Sequence, residues 1–305
     1  MSFLAKATKG RKRKPFCALF YGVHGIGKSS LAEEFPEALV IGPEENDELE
    51  NATRLQQVDS WDMFTAQLRE VRDANHGFKT VFIDTLDMLE QFAQKHILNG
   101  QPSNVTMATA FGGYGKAYER MAQMFLEVRD AYLKPIRDKG INIVLLAHAE
   151  KVKHEDPMTQ TSWDHFKPNL HKKVSPIFED WVSAILFANY YVTVSTDKGR
   201  ETVEGEGARV IYTEERPSQV AKNRFNLPYR IPFVQGTIWK TIDSHLSGFF
   251  VDNKKELDVD LLAQAKEMAS SVEDGDLSAK IVMSINAAKT DAELTRIITK
   301  IEGLA

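Results

Sequence analysis

One stretch limits the folds open to this chain more than any other, residues 16–30, FCALFYGVHGIGKSS. The apolar run FCALFYG reads as a short buried strand. A Gly-rich turn follows, and then KSSLAEEF, which reads as a helix stopped by Pro36. Gly22, Gly27, Lys28 and Ser29 stand at the spacing G-x-x-x-x-G-K-[ST], that of a loop whose backbone N–H groups cradle phosphates. The loop residues Gly22, Val23, His24, Gly25, Ile26 and Gly27 would wrap a β-phosphate, with the N-terminus of the following helix pointing at it. Lys28 would reach the β and γ oxygens, Ser29 would ligate Mg²⁺, and Ser30 would complete the nucleotide-binding loop.

The segments after the loop supply the matching parts. ALVIG (38–42) reads as a second strand. The 61–74 segment has helical apolar spacing at Trp61, Phe64, Leu68 and Val71. A third strand ends at Asp84, a carboxylate suited to orienting the water shell of Mg²⁺. The Gly-rich stretch 99–116 leads to a long helix through about residue 138, followed by the strongly apolar strand INIVLLAHA (141–149). Strands alternating with helices predict an α/β fold, a mostly parallel sheet flanked by helices. On such a sheet Glu44 and Glu45 face the phosphate crevice, where either could orient and deprotonate water. His148 stands on the same edge and would meet the γ-phosphate through a hydrogen bond.

Composition narrows the remaining choices. The 305 residues fit one large domain with an appendage, and the net charge of −5 gives no global attraction to nucleic acid. Any DNA-binding surface must be local. A single cysteine, Cys17, excludes an intrachain disulfide and a cysteine-based zinc site. His148, His154, His165 and His171 are spaced by 6, 11 and 6 residues, which puts no pair on one helical face and argues against a metal centre. No apolar run suits a secretory signal or a membrane span, so a cytoplasmic protein without a membrane partner is expected.

Four divisions are expected: a basic arm over 1–14 with six Lys and Arg, an ATPase core over 15–246, a linker over 247–260 and a small helical domain over 261–305. The last has Leu294, Ile297, Ile298 and Ile301 on one helix face and a capping-box pattern at Thr290 and Glu293. Residues 251–305 hold 7 Lys and Arg against 11 Asp and Glu, which disfavours direct phosphate contact and suits a packing, regulatory or partner-binding role. The polar, irregular loop 151–173 carries Lys151, Lys153, Lys167, Lys172 and Lys173 with Trp163 and Phe166 between them. Basic groups that track a backbone and aromatics that stack on bases suit single-stranded DNA. Tyr114 and Lys116 on the earlier loop, and the basic arm, would extend that surface.

The order of parts resembles the RecA-type ATPase core over roughly residues 15–240. It is closest to the short phage-encoded RecA-like ATPases of single-strand annealing and recombination, through GVHGIGKS, Tyr114-Gly115-Lys116, Ala147-His148 and Ala221-Lys222-Asn223-Arg224. The resemblance implies ATP and Mg²⁺ as ligands, a catalytic glutamate at Glu44 with Glu45 as the register alternative, and a sensor at His148. It also implies DNA-binding loops at 99–116 and 151–173. Lys222 and Arg224 match the K-x-R element of RadA and DnaB relatives, which reaches across a subunit interface to the neighbour's nucleotide. Two departures stand out: the sensor is His148 where RecA has Gln, and no polymerisation domain precedes the core, so a ring is as open as a filament. The implied function is a homo-oligomeric, DNA-dependent ATPase on single-stranded DNA, working with a single-strand binding protein or helicase. The alternative is a nucleotide-gated DNA-binding or helicase-loading factor with slow hydrolysis.

Overall fold

In the computed structural model the chain is described over residues 14–302, apart from 46, 156–160, 198–199, 205–206, 251–258, 273–274 and 288–290. All but the last residue of the expected basic arm therefore lie outside the described residues, and Lys14 is exposed.

The strands are β1 (Cys17–Gly22), β2 (Ala38–Ile41), β3 (Thr53–Arg54), β4 (Thr80–Ile83), β5 (Asn142–Glu155), β6 (Ser162–Pro168), β7 (Ala184–Tyr190), β8 (Thr193–Asp197), β9 (Arg200–Glu204), β10 (Arg209–Tyr212), β11 (Lys222–Asn223) and β12 (Arg230–Pro232). One sheet runs β12-β10-β7-β1-β5-β4-β2-β3, with β11 paired to β7 and β6 to β5, while β8 and β9 pair with each other. The pairings among β7, β1, β5, β4, β2 and β3 are parallel; β10, β11, β12 and β6 join antiparallel. The helices are α1 (Trp61–Asp73), α2 (Leu86–Leu98), α3 (Lys116–Glu127), α4 (Lys134–Asp138), α5 (Ser175–Trp181), α6 (Ile238–Phe250), α7 (Val259–Ser270), α8 (Gly275–Ala287) and α9 (Asp291–Glu302). This is the expected α/β class, a mixed, mostly parallel sheet flanked by helices. No helix among the described residues is long and apolar enough to cross a membrane.

β1 is buried along all six residues, as an unbroken apolar run between two parallel neighbours requires. Its alternate residues serve two layers. Cys17, Leu19 and Tyr21 join the main core with Trp61, Phe64, Leu89, Phe125 and Phe178 from the helices. On the other face Phe16 and Phe35 meet Trp239 of α6 at ring centroid distances of 6.2 and 4.6 Å. Burial pushes the Cys17 thiol up to about 12, so it is a packing residue and not a nucleophile. α1 matches the expected helix: Ser60 caps it by accepting the Met63 N–H, and Trp61, Phe64, Leu68 and Val71 are its buried face.

Four expectations change. The helix after the phosphate loop is only a five-residue 3-10 helix, Ser29–Glu33, because Pro36 leaves it no room to continue. The long helix is α3 and α4 joined by a π-helical turn, Val128–Leu133. Pro135 has no N–H for the Ala131 carbonyl, which accepts from Arg72 Nη1 instead (3.1 Å). The irregular loop 151–173 is largely a hairpin, since β5 continues through Glu155 and pairs with β6, opposing Glu150 to Lys167, Lys153 to Asp164 and His154 to Trp163. Opposite charges and aromatic rings directly across a ladder stabilise it. Of the stretch expected as a linker, 247–250 belong to α6 and 259–260 to α7, and 251–258 lie outside the described residues.

The chain divides into a compact unit spanning Lys12–Phe249 and a second one built from Phe250 onward. Within the second, Ala265, Ala269, Ile285, Ile298 and Ile301 form a small core. Thr290 of the expected capping box lies outside the described residues. Phe125 is fully buried, with its ring 5.0 Å from Trp61 and 5.9 Å from Phe178. Phe125→Ala is expected to cost about 3–5 kcal/mol in denaturant unfolding of the core.

Candidate nucleotide site

Backbone register assembles the site before any side chain is considered. β5 lies between β1 and β4, with Gly22 opposite His148 and Ile83 opposite Leu145. The carboxyl ends of β1, β5, β4 and β2 therefore share one edge, carrying the phosphate loop, His148, Asp84 and Gly42-Pro43-Glu44.

Gly27 has φ +100°, open to glycine and strained for other residues. Ile26 is fully buried, and its carbonyl accepts from Arg209 Nη1 (3.0 Å), whose guanidinium lies 5.0 Å from the Phe233 ring centroid. Arg209 thus braces the loop from β10, a support that no local sequence pattern announced. The five-residue 3-10 helix is too short to act as a helix dipole on a phosphate, contrary to expectation, which leaves the loop's own N–H groups with Lys28 and Ser29 as the groups that could cradle one.

Lys28 is buried and donates from Nζ to Gly22 O (3.3 Å) and Val23 O (3.1 Å). Burial lowers its pKa, and the carboxylates of Asp84, Asp87 and Glu44 counter that. Ser29 Oγ donates to Asp84 Oδ2 at 2.6 Å. A hydroxyl and a carboxylate in contact are hard oxygen donors, the set Mg²⁺ uses when phosphate and water complete its shell. Gly42 is fixed by the same aspartate, because a Cβ there would sit 1.9 Å from Asp84 O. Glu44 donates its backbone N–H to that carbonyl (3.2 Å), and its Oε1 lies 3.5 Å from Thr85 Oγ1 and 4.0 Å from His148 Nε2. Glu45 is exposed and shares with Glu44 a cleft of about 310 Å³.

His148 is held from three sides. Its ring Nδ1 lies 2.8 Å from Asp87 Oδ2, its backbone N–H donates to Asp87 Oδ1 (3.0 Å), and its face stacks on His24 at a centroid distance of 4.0 Å. Burial works against ionisation of Asp87, yet the hydrogen bonds from the His148 ring and N–H outweigh it and hold the carboxyl below its usual range. His24, on the loop, has its pKa lowered first by His148, then by burial and Lys28. Asp87 escaped the sequence reading because it is a single acid in the first turn of a helix, where its common role is to complement the helix dipole.

The other expected site residues are distributed differently. Lys222 Nζ donates to Glu179 O (2.6 Å) and Asp180 O (3.2 Å), carbonyls in the last turn of α5, so it caps that helix. Its pKa is lowered by burial and by Arg224. Arg224 is exposed. β11 pairs with the beginning of β7, at Ile185 and Ala184, whereas Gly22 pairs with Ala188. Lys222 and Arg224 thus sit at the sheet edge remote from their own phosphate loop. On the hairpin Lys151 is paired with Asp164 (3.1 Å) and Lys167 with Glu150 (2.8 Å), while Lys153 is exposed. Trp163 Nε1 donates to Pro217 O (2.6 Å), and Phe166 turns inward to stack on Phe187 (5.0 Å). Tyr114, 99% exposed, stands in the turn before α3, and Lys116 is the first residue of that helix.

A family model described as an AAA domain matches residues 14–225. The chain belongs to the AAA-domain family. No curated protein matches it. The AAA domain is a P-loop ATPase domain, and the matched span contains the loop, Glu44, Asp84, Asp87, His148 and Arg224, while leaving α6 to α9 outside.

Glu90, one turn after Asp87 on α2, accepts the His171 N–H with both carboxylate oxygens (2.9 and 3.1 Å). Burial pushes its pKa up to about 7, against the His171 hydrogen bond. A folded-state pKa above the unfolded 4.5 means that the native state holds a proton the unfolded state has released, so stability falls as pH rises from 4.5 to 7. The loss is on the order of 3 kcal/mol. Glu90→Gln should flatten this part of the stability profile, read as Tm against pH. Gly42→Ala should displace Asp84 and weaken Mg²⁺-dependent nucleotide binding at least ~10-fold, read by titration with a fluorescent ADP.

Proposed function

We propose that this AAA domain is a RecA-type, homo-oligomeric ATPase stimulated by single-stranded DNA, with its nucleotide at subunit interfaces. The observation that carries the reading is the shared strand edge on which Lys28, Ser29, Asp84, Glu44 and His148 converge. Lys28 leaves its two carbonyl partners for the β and γ oxygens of ATP. Mg²⁺ held through Ser29 and Asp84 would neutralise charge on those oxygens. Glu44, nearer the site's centre than Glu45, takes a proton from water as the water oxygen bonds to the γ-phosphorus and the β–γ bridging bond breaks, giving ADP and phosphate.

Two features support the assembly and its ligand. Arg224 is exposed and remote from its own loop, as a cation working on a neighbour's nucleotide must be. The β5–β6 hairpin springs from the residue after His148, so a nucleotide contact there adjoins the surface carrying Lys153 and Trp163. The pairing of Lys151 and Lys167 with acids favours a second reading, a nucleotide-gated loading factor whose hairpin meets a protein such as a helicase or single-strand binding protein.

ATPase assays with and without single-stranded DNA separate the two, since stimulation supports the first reading and a slow, unresponsive rate the second. Lys28→Ala is expected to abolish turnover, and Arg224→Ala to lower it about 10³-fold with nucleotide still bound. Mixing the two inactive variants should restore part of the activity, because one interface then pairs an intact Lys28 with an intact Arg224; no restoration removes the trans role of Arg224.

A further inference from the structure

The contacts around His148 fix which of its ring nitrogens faces the chemistry. Asp87 is a carboxylate with two acceptor oxygens in use. Oδ1 takes the backbone N–H of His148 at 3.0 Å, and Oδ2 lies 2.8 Å from ring Nδ1. A carboxylate has no proton to give, so Nδ1 must be the N–H. In the neutral ring Nε2 is then a lone pair, and it points toward Glu44 Oε1 at 4.0 Å. That gap is too long for a direct hydrogen bond. It is the separation that one water spans when it makes two hydrogen bonds of about 2.8 Å. His24 stacked at 4.0 Å and the near-complete enclosure of Asp87, whose side chain is 10% exposed, keep the ring from turning over.

We propose that Asp87 is a positioning residue for hydrolysis, making His148 Nε2 an acceptor so that His148 and Glu44 together hold the attacking water by both of its hydrogens. The oxygen lone pairs of that water are then left to face the γ-phosphorus. His148 is accordingly a water holder and not a hydrogen-bond donor to the γ-phosphate. The inference rests on the reading of this site as one that hydrolyses ATP.

Asp87→Asn tests it by reversing one bond with little change of shape. The amide oxygen still accepts the His148 backbone N–H, but the NH₂ group now faces Nδ1, which drives the ring proton to Nε2. The expected result is a fall in kcat of about 10–100-fold with KM within about threefold and unchanged fluorescent-ADP binding. In a His148→Ala background the same substitution should have no further effect on kcat, because its action passes through the ring. An unchanged kcat for Asp87→Asn, or equal losses in the two backgrounds, overturns the proposal. ¹⁵N spectra of histidine-labelled protein give a readout independent of turnover: Nε2 of His148 is expected unprotonated in the wild type at pH 8 and protonated in Asp87→Asn. A wild-type Nε2 carrying a proton overturns the assignment. Absence of ATPase activity in the wild type with that spectrum intact overturns the functional reading alone.

Discussion

The insertion of β5 between β1 and β4 is the constraint on which the rest of the site depends. Parallel pairing leaves no freedom in register once alternate residues are committed to two buried faces, since a slip of one residue would exchange Tyr21 and Phe20 between the layers. That register puts His148 opposite Gly22 and leaves Asp84, the residue after Ile83, at the end of the strand on the other side of β5. The ionisable residues at this edge then need no long-range order of their own, because Asp84 directly follows β4, Glu44 is the third residue past β2, Lys28 the sixth past β1, His148 stands within β5 and Asp87 in the first turn of the next helix.

Burial and charge are balanced closely at that edge. Lys28 is buried and loses hydration, and it is kept cationic by Asp84, Asp87 and Glu44 together with two backbone carbonyls. Those carbonyls hold the ammonium against the loop that carries it. Asp84 contributes most to that compensation, so a substitution of Asp84 acts on the lysine as well as on the hydroxyl of Ser29.

Local sequence order conveyed the phosphate loop, the strand ending at Asp84, helix α1 and the position of His148, because each is written in contiguous residues with a periodicity or spacing of its own. Asp87 and Arg209 were not legible, since their roles exist only through partners 61 and 183 residues away. Polarity disguised the hairpin, whose charges match across strands and not along one. Lys222 read as half of a finger because spacing cannot show that two carbonyls of α5 already hold its ammonium. The segment between the loop and Pro36 has the pattern of a helix, which does not distinguish a full helical turn from the short 3-10 form at Ser29–Glu33.

Asp87 and Glu90 are three apart on α2 and so share a face. One grips His148, where β5 leaves the sheet, and the other grips His171, just beyond the end of β6. Both feet of the hairpin are therefore fastened to one helix. Seven residues of β5 extend past His148, a lever arm of about 23 Å at ~3.3 Å per residue. Rocking α2 by about 5° would carry the far end of that arm through roughly 2 Å, a mechanical gain set by strand length alone.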